Sequence, residues 1–384
     1  MEISLNFYAT LLIMVVVLLI GRLVIKKVNF FRKYDIPEPV VGGIIVAILL
    51  LVLTVKFDTN IKFNDSMKEP LMLAFYAAIG LLADLSMLKS ASRIFVVFLV
   101  ATIGLLFLQN FVGIGVILAM GENPLIGLLG GSISLTGGFG TSAAWGSIFE
   151  APPYGFALAT TVGIACSTFG LVAGGLMGGP LAHFLINRYK IKTNKENIDE
   201  EEVVSFEKPQ VKTRLITVDS FITALALIAI CLFIGTKISE FTKGSSFALP
   251  TFVWCLFIGV FLRNILSYFK IFKVFDREMD VLGNVSLSLF LAFSLMNIKL
   301  FDLIDLAGPL LVVMVFQVIL MFLYGWLVTF KLCGKNYDSA VLVAGQCGFA
   351  IGSTYNAIAN MQSITKNNGP SHVSFIIVPM VGAF

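Results

Sequence analysis

Charge is scarce in this chain. Asp, Glu, Lys and Arg make up 13% of its 384 residues, where a soluble domain carries about 25%, so an ordinary water-soluble globule is excluded. Histidine is nearly missing: His183 and His372 are the only two, too little for a zinc site or a histidine proton relay. The five cysteines (Cys166, Cys231, Cys255, Cys333, Cys347) form no C-x-x-C pair and lie mostly in apolar runs, which implies neither a disulfide framework nor a metal site. They read as small buried apolar residues. A formal charge of +4 suits a protein facing anionic lipid, and no nucleic-acid partner is expected.

What is abundant is apolar surface, 58% of the chain. Ten spans of roughly 20 residues can be drawn, at about 4–24, 38–55, 70–87, 94–119, 154–186, 218–240, 248–268, 281–300, 308–330, and one beginning near Val373. The first is no signal peptide, because its basic residues Arg22, Lys26 and Lys27 follow the apolar run.

Two stretches interrupt this pattern, PLIGLLGGSISLTGGFGTSAAW from Pro124 and AGQCGFAIGSTYNAIANM from Ala344. Both are apolar enough to enter a bilayer, yet dense in Gly, Ser and Thr at the centre. Gly costs about 1 kcal/mol against Ala in a helix interior, and broken backbone at membrane depth is tolerated only inside protein or along a cavity. The expectation is two re-entrant hairpins, about 124–150 and 338–363, whose tips meet at a transport site. Charge supports this reading. With the amino terminus outside and both stretches turning back, 21 of the 27 Lys and Arg fall on the inner side; if both crossed, the better split is 16 to 11.

Residues 187–217 are polar and read as a cytoplasmic linker between a first repeat, 1–186, and a second, 218–384. The halves resemble each other: LMLAFYAAIGLLADL from Leu71 aligns with LFLAFSLMNIKLFDL from Leu289, and Gly138 and Phe139 align with Gly348 and Phe349. Five spans per half invert the second copy. The predicted fold is thus an all-α polytopic membrane protein of two inverted-topology repeats, each of five transmembrane helices plus one re-entrant hairpin, as in many secondary transporters. The symmetry also suggests that the sequence stops inside its last span.

At the hairpin tips, glycines free backbone amides, and half-helix N-termini present partial positive charge to an anion. The substrate candidates are Ser134, Thr136, Gly137, Gly138, Gly140, Thr141 and Ser142 in the first, and Gln346, Gly348, Gly352, Ser353, Thr354 and Asn356 in the second. The plain alternative is close helix packing, which also serves for Gly174, Gly175, Gly178 and Gly179. Oxygen donors for Na⁺ could come from Thr161, Ser167, Thr168, Ser286 and Ser288, although back-bonding to the same helix is their commoner role. Asp84, Arg93, Lys299 and Asp302 sit near span ends and read as interfacial. Glu38, between two prolines, reads as a helix-start residue. With no clear intramembrane carboxylate or histidine relay, sodium coupling is easier to build than proton coupling, and no organic cofactor is indicated.

The stretches YDIPEPVVGG, EPLMLAFYAAIGL, LTGGFGTSAAW, STFGLVAGGLMGGP, LGNVSLSLFLA, GKNYDSAVLVAGQCGF, AIANMQ and GPSHVSFIIVPMVGAF together resemble the bacterial sodium/glutamate symporters. The resemblance runs in order along essentially the whole chain. It implies an inner-membrane carrier of L-glutamate with Na⁺, its partners a second copy in a homodimer and the bilayer, with a transport domain that moves against a scaffold. It maps the family's two GGxG-type loops onto Gly137–Gly140 and Gly345–Gly348. The chain departs from the family pattern at the tips: Phe139 and Gln346 stand where it has His, Ala350 where it has Gly, and Tyr355 where it has Pro. Other readings are a carrier of another small dicarboxylate or amino acid, an ion channel built on Gly-rich loops, and an intramembrane hydrolase using Ser134 or Ser142 with His183 or His372. The last lacks any sequence link between those serines and histidines, so an enzyme is not expected.

Overall fold

The computed structural model describes residues 2–33, 36–57, 59–85, 93–192, 215–243, 249–269, 274–297 and 306–383. Lys299, Asp302 and most of the expected linker lie outside them. The described residues are almost all helical: α1 (Phe7–Lys27), α2 (Asn29–Lys33), α3 (Glu38–Phe57), α4 (Lys68–Leu82), α5 (Arg93–Ala119), α6 (Pro124–Leu128) running into a π-helical turn (Leu129–Ile133), α7 (Gly138–Glu150), α8 (Ala159–Arg188), α9 (Val218–Thr242), α10 (Thr251–Phe269) and α11 (Asp276–Met296). Then come α12 (Ala307–Leu332, with a π-helical turn at Gly325–Thr329), α13 (Tyr337–Ile351), α14 (Thr354–Asn368) and α15 (His372–Ala383). One short parallel pair joins β1 (Glu2–Ser4) to β2 (Asn60–Lys62).

Among the described residues, eight helices (α1, α3, α5 and α8 to α12) are long and apolar enough to cross a membrane. The chain is a multi-pass membrane protein, as its composition requires. Most ends fall within a few residues of the expected spans, and two of the exceptions have an identifiable cause. The span expected from Tyr154 starts at Ala159, because Pro152, Pro153 and a left-handed Gly155 (φ +64°) keep the preceding segment out of helix. The span expected to reach 87 stops at Leu82: Asn264 donates through Nδ2 to the Ala83 carbonyl (3.0 Å) and accepts from the Leu85 amide (2.9 Å), replacing the bonds another turn would make.

The chain forms two compact units, each drawn from both halves of the sequence. The first comprises 1–27, 37–90 and 212–298, the second 28–36, 91–211 and 299–384. In the first, α4 packs along α10 and α11, and α3 along α1 and α11. Met14, Val17, Ala292, Phe293 and Met296 form a buried cluster there. Ion pairs within this unit include Arg22, which grips Glu38 with two bonds (2.9 and 3.1 Å), and Arg263, which reaches Asp276 (2.6 Å) and Asp84 (3.3 Å).

The second unit is built around α8, which packs against α7, α13 and α14. Its contact stripe is glycine at every fourth position. A Cβ on Gly170 would lie 2.2 Å from the Ile351 carbonyl oxygen, and one on Gly178 would lie 2.2 Å from Asn360 Nδ2, so only hydrogen fits. Gly174 has the same role, while Gly179 faces nothing nearer than 3.9 Å.

Candidate functional site

Both Gly-rich stretches fold as helix, break, helix, and both lie in the second unit. The first starts where Asn123 caps α6, accepting from the Leu125 amide at 3.0 Å. Pro124 follows at a position where a missing N–H costs nothing. At Gly131 the backbone leaves helical geometry (φ −98°, ψ −144°), which strips the next amide of its helical acceptor. Asn110, from the middle of α5, replaces it: its Oδ1 accepts from the Ser132 amide (2.9 Å) and hydroxyl (3.0 Å). The Thr136 and Gly137 amides close onto the Ser132 carbonyl (3.2 and 2.9 Å). The chain re-enters helix at Gly138 with φ +68°, and α7 starts with no side-chain cap on its first amides.

The second break is simpler. α13 opens with a capping box of Asn336 and Ser339 and is buried at every residue from Ser339 to Ile351. The Gly352 and Ser353 amides both return to the Gly348 carbonyl (2.9 and 2.8 Å), and Ser353 Oγ caps α14 by accepting from the Asn356 amide (3.2 Å).

The two breaks meet. Thr136 Oγ1 lies 2.8 Å from the Ala350 carbonyl oxygen and 3.0 Å from Gln109 Oε1, and Gln109 Nε2 donates to the same Ala350 oxygen at 2.8 Å. A carbonyl can only accept, so the Gln109 amide has one orientation here, nitrogen to Ala350 and oxygen to Thr136. Gln109 is completely buried, and Gln317 Nε2 holds its backbone carbonyl at 2.7 Å. One neutral amide from α5 thus ties both breaks together.

A second cluster lies behind the first break. Ser142 Oγ is 2.7 Å from the Gly138 carbonyl and 2.7 Å from Ser167 Oγ, which is 3.1 Å from the Ser134 carbonyl. Two hydroxyl protons serve three oxygen to oxygen contacts, so lone pairs outnumber protons. Ser134 Oγ, 1% exposed, has no hydrogen-bond partner. Such oxygen-rich, uncharged surroundings suit a hard monovalent cation. Among the described residues no group of three or more His, Cys, Asp or Glu could hold a metal ion.

Of the residues singled out from sequence, Ser134, Thr136, Gly138, Ser142 and Ser167 come together in these two clusters, with Gly137, Gly140 and Thr141 beside them on the chain. Gly352, Ser353 and Thr354 are half-buried at the second break. Gly348 lets α14 approach, since a Cβ there would lie 2.2 Å from the Ala357 nitrogen. Gln346 and Asn356 bond to neighbouring helices: Gln346 Nε2 reaches Thr102 Oγ1 (3.3 Å), while Asn356, whose side chain lies against Gly352 of the second break, donates through Nδ2 to the Leu171 carbonyl (2.6 Å). Thr168 bonds back to Ile164 of its own helix (2.8 Å). Thr161 is buried in the first turn of α8, and Ser286 and Ser288 are half-buried on α11 of the first unit. Sequence reasoning missed Gln109, Asn110, Gln317 and Asn360. The signal was present for the first three, as isolated carboxamides in the middle of otherwise apolar spans.

A family model described as "Sodium/glutamate symporter" matches residues 3–370. A protein named "Sodium/glutamate symporter" from Escherichia coli (strain K12) is 50% identical over 380 residues, covering 99% of this chain and 94% of that protein. A namesake from Haemophilus influenzae is 46% identical over 385 residues, covering 100% of this chain and 95% of its own.

Proposed function

This chain belongs to the sodium/glutamate symporter family, a family of transporters and not of enzymes, and from that premise we propose that it carries L-glutamate with Na⁺ across the bacterial inner membrane. The observation that carries the reading is the meeting of two broken helices at Thr136, Gln109 and Ala350. Glutamate brings two carboxylates, and the first turn of α7, free of any side-chain cap, offers them the Gly138, Phe139 and Gly140 amides at the positive end of a helix. Thr136, Thr141, Ser353 and Thr354 supply hydroxyls around it. Na⁺ takes the oxygen-rich cluster of Ser142, Ser167 and the Ser134 and Gly138 carbonyls.

In this reading the two Gly-rich stretches are re-entrant hairpins of an inverted repeat spanning 1–186 and 218–384, with the amino terminus outside and the 187–217 linker in the cytoplasm. Both breaks belong to one compact unit, which supports an elevator motion: that unit carries the site, the other is the scaffold of a homodimer. Na⁺ binding behind the first break fixes the turn that presents the α7 amides, so the ion raises glutamate affinity, and by linkage glutamate raises ion affinity equally.

Uptake of labelled L-glutamate into proteoliposomes of the purified chain tests the function. Accumulation that needs an inward Na⁺ gradient and is abolished by unlabelled glutamate is expected. Uptake indifferent to Na⁺, or competed better by another dicarboxylate or amino acid, overturns the reading.

A further inference from the structure

Away from the breaks, a cavity of about 430 Å³ opens in the second unit where α8 and α12 end and α13 begins. Its walls include Tyr189, Lys192, Lys335, Asn336, Tyr337 and Asp338. We propose that it holds the phosphate of an anionic phospholipid headgroup. The inference rests on the orientation proposed above, which puts this end in the cytoplasmic leaflet.

Position argues first. α8 and α12 are both candidate membrane spans, and the cavity begins directly after Arg188 and Leu332, where they end. An aromatic cluster marks the same level: Trp326 Nε1 donates to Tyr189 Oη (3.1 Å), Tyr189 packs on Phe330 (5.0 Å between ring centres) and Phe184 lies edge-on to Trp326 (5.2 Å). Such belts sit at headgroup depth.

Charge argues second. Arg188, Lys190, Lys192, Lys331 and Lys335 crowd these two chain ends. Among the described residues neither Lys192 nor Lys335 makes an ion pair, so both ammonium groups are available. Asp338 is the one acid in the cavity wall, and its carboxylate accepts from Ser371 Oγ at 2.6 Å. The positive end of α13 faces the same space, and α13 is 15 residues long.

Rigidity argues third. The Ile191 amide bonds back to Ile186 (3.0 Å) and the Lys335 amide to Phe330 (3.1 Å), with Lys190 and Lys335 in left-handed conformation (φ 49° and 54°). Both are helix-end locks, so the lysines project from fixed backbone. Volume fits as well, since small-ligand sites run from about 300 to 1,000 Å³.

A free phosphate needs no hydrocarbon path, whereas a lipid does. Leu311, Val315, Ile319, Leu323 and Leu327, each four residues apart on α12, are all exposed, and the ladder ends in Lys331. It offers an acyl chain a continuous apolar track up to the basic end, which selects the lipid as the source. Basic pockets between spans on the cytoplasmic side are suited to such headgroups.

The test uses the full chain, reconstituted in equal phosphatidylglycerol and phosphatidylcholine, repurified in detergent and assayed for retained lipid by mass spectrometry. Wild type should retain the anionic lipid over the zwitterionic one by roughly 10- to 30-fold, as two headgroup-level lysines imply. Lys192→Gln with Lys335→Gln should bring the ratio near unity, while Lys192→Arg with Lys335→Arg keeps it. Equal retention of both lipids by wild type, or an unchanged ratio in the Gln pair, overturns the proposal. So does loss of the Arg pair's preference in protein that still runs as wild type in gel filtration. Retention that millimolar inorganic phosphate abolishes without any lipid preference assigns the cavity to free anions instead. Labelling of Leu215→Cys by a membrane-impermeant reagent in intact cells reports sidedness separately: Leu215 is 79% exposed, and all five native cysteines are buried.

Discussion

Replacing Gln109 by Glu should give transport a pH dependence that wild type lacks at this position, since an amide does not titrate. The wild-type amide gives one proton to the Ala350 carbonyl at 2.8 Å and offers one oxygen to Thr136 Oγ1 at 3.0 Å. A protonated carboxyl has the same pattern, one O–H and one C=O, in nearly the same volume. An ionised carboxylate has no proton, so it sets an acceptor against the Ala350 oxygen and competes for the single Thr136 proton. Complete burial penalises the charged form. The ordinary Glu value of about 4.3 therefore rises, and fully buried glutamates reach about 8–9. The sign follows: the variant works at low pH, where it is neutral, and fails as pH rises through the elevated pKa. Losing a buried hydrogen bond costs about 1–3 kcal/mol, or roughly 5- to 150-fold in rate or affinity. The assay is Na⁺-driven uptake at matched internal and external pH from about 5.5 to 8.5, a window centred on the elevated range. The variant to wild-type ratio should fall with pH. Gln109→Leu, which cannot titrate, should be impaired by a constant factor. A flat ratio for the Glu variant, or a Leu variant equal to wild type, refutes the placement of this amide between the breaks.

Three further outcomes are expected. Thr168→Ala should transport within about two-fold of wild type because its hydroxyl bonds only its own helix, whereas Thr141→Ala and Thr354→Ala should lose far more; equal mild effects in uptake assays would move the site elsewhere. Ser167→Ala, which removes the hydroxyl between Ser142 and the Ser134 carbonyl, should raise the half-saturating Na⁺ concentration several-fold at saturating glutamate and leave the maximal rate largely intact. Gly170→Ala should destabilise the protein by about 1–3 kcal/mol through overpacking, while Gly179→Ala, with 3.9 Å of clearance, should leave the melting temperature unchanged; similar shifts for the pair would contradict the α8 packing.

How much of this was legible in the residues depends on what kind of signal each element sends. Spans announce themselves by hydropathy, so α1, α3, α5 and α8 to α12 lie close to where the apolar runs put them. Ends set by a distant partner do not. Nothing in the sequence near Leu82 says that Asn264, from another helix, will take the Ala83 carbonyl and the Leu85 amide. The Gly, Ser and Thr density likewise located both breaks, because glycine in an apolar helix has a local cost that needs a local reason. It did not say which side chains would hold the breaks in register. Those partners, Gln109, Asn110 and Gln317, sit alone in the middle of α5 and α12.

That asymmetry has a physical origin. A broken helix at membrane depth exposes amides and carbonyls that lipid cannot satisfy, so each break must recruit polar groups from helices that are themselves apolar. A carboxamide is the least costly supplier: it is neutral, carries donors and an acceptor on one planar group, and needs no counter-charge. The Ser132 amide and the Ala350 carbonyl, freed by the two interruptions, find Asn110 and Gln109, which are consecutive on one helix. Because adjacent residues of α5 hold the first break and the junction of both, a shift of α5 by even part of a turn disturbs the two together. Under the function proposed above, occupancy at either break biases the same helix, which is the coupling that co-transport of an ion and an anion needs.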